Sequence, residues 1–297
     1  MNIETIFFKA IDEIKLKGMI YHSNKESKNI LISIHGMATN CLKQRDEEIS
    51  KEINQDNIDM LVFNNRGHDL INYINKITPE GRKDILGGTA YEDISECYYD
   101  ILGAIKYCLN KGYEKIYLMG HSLGSTKIVY FYQRLLKENE EKIIEHIKGI
   151  ILLSLIDIPK ALQVYLREEF PAMVTYAKNM KKEGMENQLM PEKSFIHPIS
   201  VKTFLSYSIE NKDIDFARYS DIGYDFKEIN NIKIPLFMRW GNNNEMILQK
   251  AEDLCNNLKA KIKNKKLDIG FIDGANHNYS GKEKILSEQI KKFLKNL

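Results

Sequence analysis

Long apolar runs, clustered cysteines and a dominant sign of charge are all missing from this chain, and each absence removes a class of protein. No run of eighteen apolar residues occurs, so no segment qualifies as a transmembrane helix. The opening stretch MNIETIFFKAIDEIKLKG has neither a basic start nor an apolar core long enough for a secretory leader. The four cysteines, Cys41, Cys97, Cys108 and Cys255, show no C-x-x-C spacing and none lies close to a histidine in a zinc-ligand pattern. Four are too few for a disulfide scaffold in 297 residues, and neither metal nor cofactor is expected. Lys+Arg 43 against Asp+Glu 41 gives a net charge of +2, and the lysines are spread out, so no basic face for nucleic acid is expected. The short KNKK run at 263–266 reads as a solvated turn. These exclusions leave the expectation of a reduced, cytoplasmic protein, monomer or homodimer, with no membrane or nucleic-acid partner.

What is present is organised around residues 115–129, KIYLMGHSLGSTKIV. Ile116 to Met119 form a short apolar run of strand formers, Gly120-His121-Ser122-Leu123-Gly124 follows at once, and Thr126 to Leu136 carries apolar residues at helical spacing. This is G-x-S-x-G in the strand-turn-helix setting that the motif requires. A nucleophilic serine needs a strained turn that projects its hydroxyl into a cleft, and Gly120 and Gly124 give the backbone room to approach.

The rest of the chain repeats β-α-β units, which predicts a mostly parallel sheet with helices on both faces. Residues 3–8 and 14–21 read as an opening hairpin. Strands are then expected over 30–34, 58–63, 116–119, 147–155, 232–240 and 267–272. Residues 42–55 read as a polar, solvent-facing helix with Asn40 as its N-cap, and 70–90 as a long loop. Residues 92–109 form an amphipathic helix with Cys97 and Cys108 on its core stripe. Arg66 is taken as structural, held by backbone carbonyls. Residues 158–230 break the rhythm with helical stretches rich in methionine and aromatics, punctuated by Pro171, Pro191 and Pro198. They are read as a helical cap inserted into a core of 1–157 and 231–297. A helix is expected from Met246 to Leu258. His277 follows the last strand in a glycine-containing turn, at the edge where open α/β sheets keep their sites, and is the best placed of seven histidines to act as a base.

With the serine turn, the His35-Gly36 turn after an early strand and His277 in this order, the chain from about Ile30 to Leu294 resembles the α/β-hydrolase superfamily. It looks most like small cap-bearing serine esterases. FNNRGHD at 63–69 and GGTAYED at 87–93 resemble a branch that includes siderophore-ester hydrolases. The resemblance implies an α/β-hydrolase fold: an eight-stranded, mostly parallel sheet with helices on both faces and an inserted helical cap. It implies Ser122 as nucleophile, His277 as general base, the backbone N–H groups of Met37 and Leu123 as oxyanion hole, and a small-molecule ester as partner. The acid departs from the pattern. Related enzymes carry G-x-x-D after the strand that here ends at Trp240, and the position three beyond Gly241 is Asn244. An asparagine cannot stabilise an imidazolium. Glu245, next in sequence, is preferred as the substitute over Asp157, which follows the preceding strand. If neither serves, a non-catalytic ligand-binding protein is the alternative, and a thioesterase or C–C hydrolase would use the same constellation.

Overall fold

The computed structural model describes residues 2–208, 214–221 and 223–297. In order, the chain forms β1 (Asn2–Lys9), β2 (Ile14–His22), β3 (Asn29–Ile34), α1 (Gln44–Ile53), β4 (Ile58–Asn64), β5 (Asn72–Thr78) and β6 (Gly81–Gly87). Next come α2 (Cys97–Asn110), β7 (Lys115–His121), α3 (Leu123–Lys137), α4 (Glu141–Ile144) and β8 (Ile147–Leu153). Four helices follow before the sheet resumes: α5 (Ile158–Leu166), α6 (Phe170–Lys182), α7 (Val201–Tyr207) and α8 (Lys227–Asn230). The chain ends with β9 (Leu236–Gly241), α9 (Ala251–Lys261), β10 (Leu267–Ile272) and α10 (Glu283–Lys295). No helix among the described residues is long and apolar enough to cross a membrane.

The strands make one sheet in the order β10-β9-β8-β7-β3-β4-β2-β5-β6, with β1 on β2. From β10 to β4 every pairing is parallel, and the pairings of β2 and β5 are antiparallel. The central strands read as unbroken apolar runs because they are covered on both sides. On β3, Ile30, Ile32 and Ile34 enter the core beneath α2 and α3, and Leu31 enters a second core with α1 and α10. On β7, Ile116 and Leu118 face one way and Tyr117 and Met119 the other. The two-residue period of a strand thus sends successive side chains into separate cores.

The sheet has ten strands where eight were expected. The added pair, β5 and β6, is a hairpin closed by Pro79-Glu80 within the stretch read as a loop. It lies at the sheet edge with most of its residues partly or fully exposed, so it shows no apolar alternation to betray it. Helix α1 is not wholly solvent-facing: Ile49 and Ile53 are buried, and α1 packs on α10. Lys43, not Asn40, is its N-cap. Strand β9 starts at Leu236, after α8 and a turn, and α9 starts at Ala251 instead of Met246. The helical stretches expected within 158–230 are found, and positions 209–213 and 222 of that segment lie outside the described residues.

Two buried ion networks tie the loops to this frame. Arg66 is held by carboxylates, not by backbone carbonyls: Nε and Nη2 bond Asp100 at 3.0 and 2.8 Å, and Nη2 also bonds Asp12 at 2.8 Å. Both guanidinium donors share Asp100 Oδ1, and Asp100 Oδ2 accepts from the Arg66 backbone N–H at 2.8 Å. Lys127 of α3, fully buried, pairs with Glu92 and donates to Asn65 at 3.2 Å. The segment at Ala90–Glu92 also receives the inserted helices: Ser200 N–H and Thr203 Oγ1 bond the Ala90 carbonyl at 2.7 and 3.0 Å. Arg66→Ala would strand the fully buried Asp100 carboxylate. Its expected cost is about 3–5 kcal/mol of unfolding free energy, measured by urea denaturation. A loss below about 1 kcal/mol would mean that Asp100 finds other partners or protonates.

Candidate active site

All parallel strands end at one edge of the sheet, and the direction of winding changes there between β3 and β7. Open α/β sheets bind ligands at such a switch point. The residues singled out in the sequence follow these strand ends: Met37 after β3, Ser122 after β7, Asp157 after β8, Glu245 after β9 and His277 after β10.

Ser122 occupies the turn between β7 and α3 at φ 57°, ψ −124°, a region an L-residue adopts only under constraint. The constraint is visible. Ser122 N–H donates to the Leu153 carbonyl at 2.9 Å, and Ser125 Oγ lies 2.8 Å from the carbonyls of both Gly120 and Leu153. A Cβ on Gly124 would stand 2.1 Å from the Ile34 carbonyl oxygen, and one on Gly120 would stand 2.4 Å from Gly124. The two glycines let β7, α3 and β3 converge beneath the serine, as their spacing suggested.

Beside this turn, His35 locks the segment after β3. Its ring accepts from Asn65 N–H at 3.2 Å through Nε2 and therefore donates through Nδ1 to the Gly36 carbonyl at 2.9 Å. Burial, reinforced by the Lys127 charge, drives its pKa down to about 3, so the ring stays neutral. Ala38 N–H bonds Thr89 Oγ1 at 2.8 Å, and Thr89 Oγ1 in turn bonds the Gly67 carbonyl at 2.9 Å. The GGTAYED stretch thus props the turn that carries Met37. Leu123 opens α3, where a helix leaves its first N–H groups without intrahelical acceptors.

His277 Nδ1 donates to Glu245 Oε1, a contact made on a carboxylate only 2 % exposed. Glu245 Oε2 also accepts from Gly241 N–H at 2.9 Å and Ser154 Oγ at 2.8 Å. Burial pushes this carboxyl up, but the His277 bond and charge and the two further donors outweigh it and hold its pKa below the usual value. Asn244 sits exposed at φ 50°, a conformation asparagine tolerates, and the residue after it faces inward. His121 packs on His277 at 4.9 Å between ring centroids and donates through Nε2 to the His277 carbonyl at 2.6 Å. Burial, with the charge of Arg45 next, keeps the His121 pKa well below its ordinary value.

Asp157, the alternative acid, is engaged elsewhere: it caps α5 by accepting from Lys160 N–H at 3.2 Å, and it accepts from Ser220 Oγ at 3.1 Å. Ser122 and His277 line one cavity of about 410 Å³, together with Met37. Ile156, Ile158, Leu162, Tyr165 and Phe195 give it an apolar wall. Among the described residues no group of histidine, cysteine, aspartate or glutamate is placed to hold a metal. Sequence reasoning missed Ser154, His121 and Thr89. The last lies in a motif already singled out, and the other two stand directly after β8 and before Ser122.

The fold is shared with solved structures. Est1E from Butyrivibrio proteoclasticus, described with bound ferulic acid, superposes with a TM-score of 0.65 at 16 % identity over 98 % of both chains. DcsB, in complex with its substrate analogue, gives 0.66 at 12 % identity over 99 % of both. A soluble variant of monoglyceride lipase from Saccharomyces cerevisiae gives 0.63 at 12 %, over 99 % of this chain and 96 % of that one. The protein has the α/β-hydrolase fold. By sequence it belongs to the family described as "Protein of unknown function (DUF1749)", which it matches over residues 87–295. No curated protein sequence matches it significantly.

The two carboxylates differ in titration. Burial raises the Asp157 pKa from 3.8 to about 6, so the folded protein holds this proton more tightly than the unfolded chain does. Stability from this group therefore falls as pH rises from about 4 to about 6. Asp157→Asn keeps a helix cap and removes the penalty. Relative to wild type it should gain about 2 kcal/mol between pH 4 and pH 7, followed by urea denaturation at unit pH steps. Parallel pH profiles for the two proteins would overturn the assignment.

Proposed function

We propose that the protein is a serine hydrolase that cleaves a small to medium carboxylic ester through an acyl-enzyme on Ser122. The observation that carries this reading is the pairing, in one cavity, of a serine at φ 57° with a histidine whose Nδ1 is held by a buried carboxylate. Because Nδ1 carries the proton given to Glu245, Nε2 is left with its lone pair, the form a general base needs. His277 takes the Ser122 proton as Oγ attacks the ester carbonyl, and the N–H groups of Met37 and Leu123 receive the developing oxyanion. His277 then returns the proton to the leaving alcohol. Water, activated by the same imidazole, releases the carboxylic acid and restores Ser122. Glu245 stabilises the imidazolium in both steps, which answers the missing aspartate at Asn244.

Residues 158–230 serve as a cap, since Ile158, Leu162, Tyr165 and Phe195 from this segment line the cavity. Most of the cap's methionines and aromatics hold it together: Phe204, Tyr207 and Phe216, for example, are fully buried in the main core. The esterases and lipase of similar fold support the ester class by analogy.

Wild type should hydrolyse p-nitrophenyl esters of short to medium chain and react with a serine-directed phosphonate probe. Ser122→Ala should lose both, with turnover down at least about a thousandfold. Glu245→Gln should lower kcat by on the order of 10²–10⁴, whereas Asp157→Asn should retain most of it. Probe labelling that survives in Ser122→Ala, or inertness of the wild type toward every ester, would sink the reading.

A further inference from the structure

Lys43 and Arg45 also line the cavity, on the segment that leads from the Met37 turn into α1, and the acyl transfer just outlined does not use them. Their situations differ. Arg45 is 5 % exposed and places Nε and Nη2 each 2.8 Å from a single oxygen of Asp46. The other Asp46 oxygen accepts from Ser33 Oγ at 3.0 Å, so this pair is internally compensated. Lys43 is half-buried and makes no ion pair or side-chain hydrogen bond among the described residues. Among the described residues no aspartate or glutamate lines the cavity. Glu245 stands behind His277, off the cavity wall, with its oxygens taken by His277, Gly241, Ser154 and Met246 N–H. His35 and His121 are kept neutral by burial, and His197, His277 and Tyr165 are the other titratable groups on the wall among the described residues.

The cavity therefore joins an apolar wall of Ile156, Ile158, Leu162 and Phe195 to an ammonium that has no counter-ion among the described residues. A neutral ester would leave this cation partly desolvated and unpaired, and a group with a single negative charge would neutralise it. A doubly charged phosphate monoester would exceed what one free cation, the count among the described lining residues, balances.

Resting on the ester-hydrolase reading above, we propose that the substrate is an amphiphilic ester with one free carboxylate, which Lys43 holds while its apolar part lies against Leu162 and Phe195. Lys43 is then a binding residue that sets specificity, and it takes no part in bond making or breaking.

The test compares matched esters. On the acyl side the pair is mono-p-nitrophenyl glutarate and p-nitrophenyl pentanoate, and on the alcohol side it is 4-carboxyphenyl butyrate and 4-carbamoylphenyl butyrate. In at least one pair the anionic member should have the higher kcat/KM by about five- to tenfold, chiefly through KM, and the ratio should shrink as salt is raised. Lys43→Gln should bring that ratio to about one, and Lys43→Arg should restore it. Lys43 caps α1 without a side-chain bond, so neither substitution removes a structural contact. If neutral esters are cleaved as well as anionic ones, or if the preference survives in Lys43→Gln, this proposal falls and the ester hydrolase stands. If all four esters are inert and the phosphonate probe does not label, both fall together.

Discussion

Everything at the site depends on the backbone at Ser122, which is forced into a conformation costing on the order of 1–3 kcal/mol. The surroundings over-determine it. Strand β8 accepts its N–H, Ser125 ties the first turn of α3 back to β7 and β8, and Gly124 lies so close to Ile34 that no side chain fits. Three strand ends and a helix start are thereby drawn to one point. The same approach brings the Gly36 turn to the serine: a Cβ on Gly36 would stand 3.1 Å from Ser122 Cβ. The strain is held by packing, and the packing sets where the hydroxyl and the neighbouring N–H groups stand.

The second half of the site is built on the next two strands and works through electrostatics. Glu245 and Asp157 are both buried carboxylates, yet their titrations move apart. Glu245 gathers a histidine, a backbone N–H and a hydroxyl and stays ionised, whereas Asp157 has too few donors to offset desolvation. The partners around each group decide the outcome. Around His277, the Glu245 bond fixes one ring nitrogen, and His121 fixes the backbone carbonyl of the same residue. Burial keeps His121 itself neutral. Such supporting contacts fix the orientation of a side chain in advance.

The segment from Gly87 to Glu92 links the rest. Thr89 supports the turn bearing Met37, the Ala90 carbonyl anchors α7 through Ser200 and Thr203, and Glu92 meets Lys127 of α3 inside the core. One short stretch thus connects the proposed oxyanion turn, the inserted helices and the serine-bearing helix. Gly88 takes φ 86°, and a Cβ there would stand 2.7 Å from the Leu70 carbonyl oxygen.

What was legible in the amino-acid order is what short-range physics dictates. The continuous apolar strands, the G-x-S-x-G turn, the helical insertion and the strand-end placement of His277 each follow from periodicity or from the room that glycine leaves. The hairpin β5–β6 was not legible, because an exposed edge pair needs no apolar alternation. Nor was the binding of Arg66 by Asp12 and Asp100, because those carboxylates are 54 and 34 residues away and only the fold brings them in. Placement in the sequence favoured Glu245 over Asp157, but the contact with His277 belonged to tertiary structure. Both follow neighbouring strands in sequence, and only the turn at Asn244, placed against the loop after β10, determines which carboxylate meets His277. Local sequence sets which atoms are available and in what backbone conformation. Which charge faces which partner is decided by distances across the sheet, where Coulomb energy and desolvation act without regard to chain order.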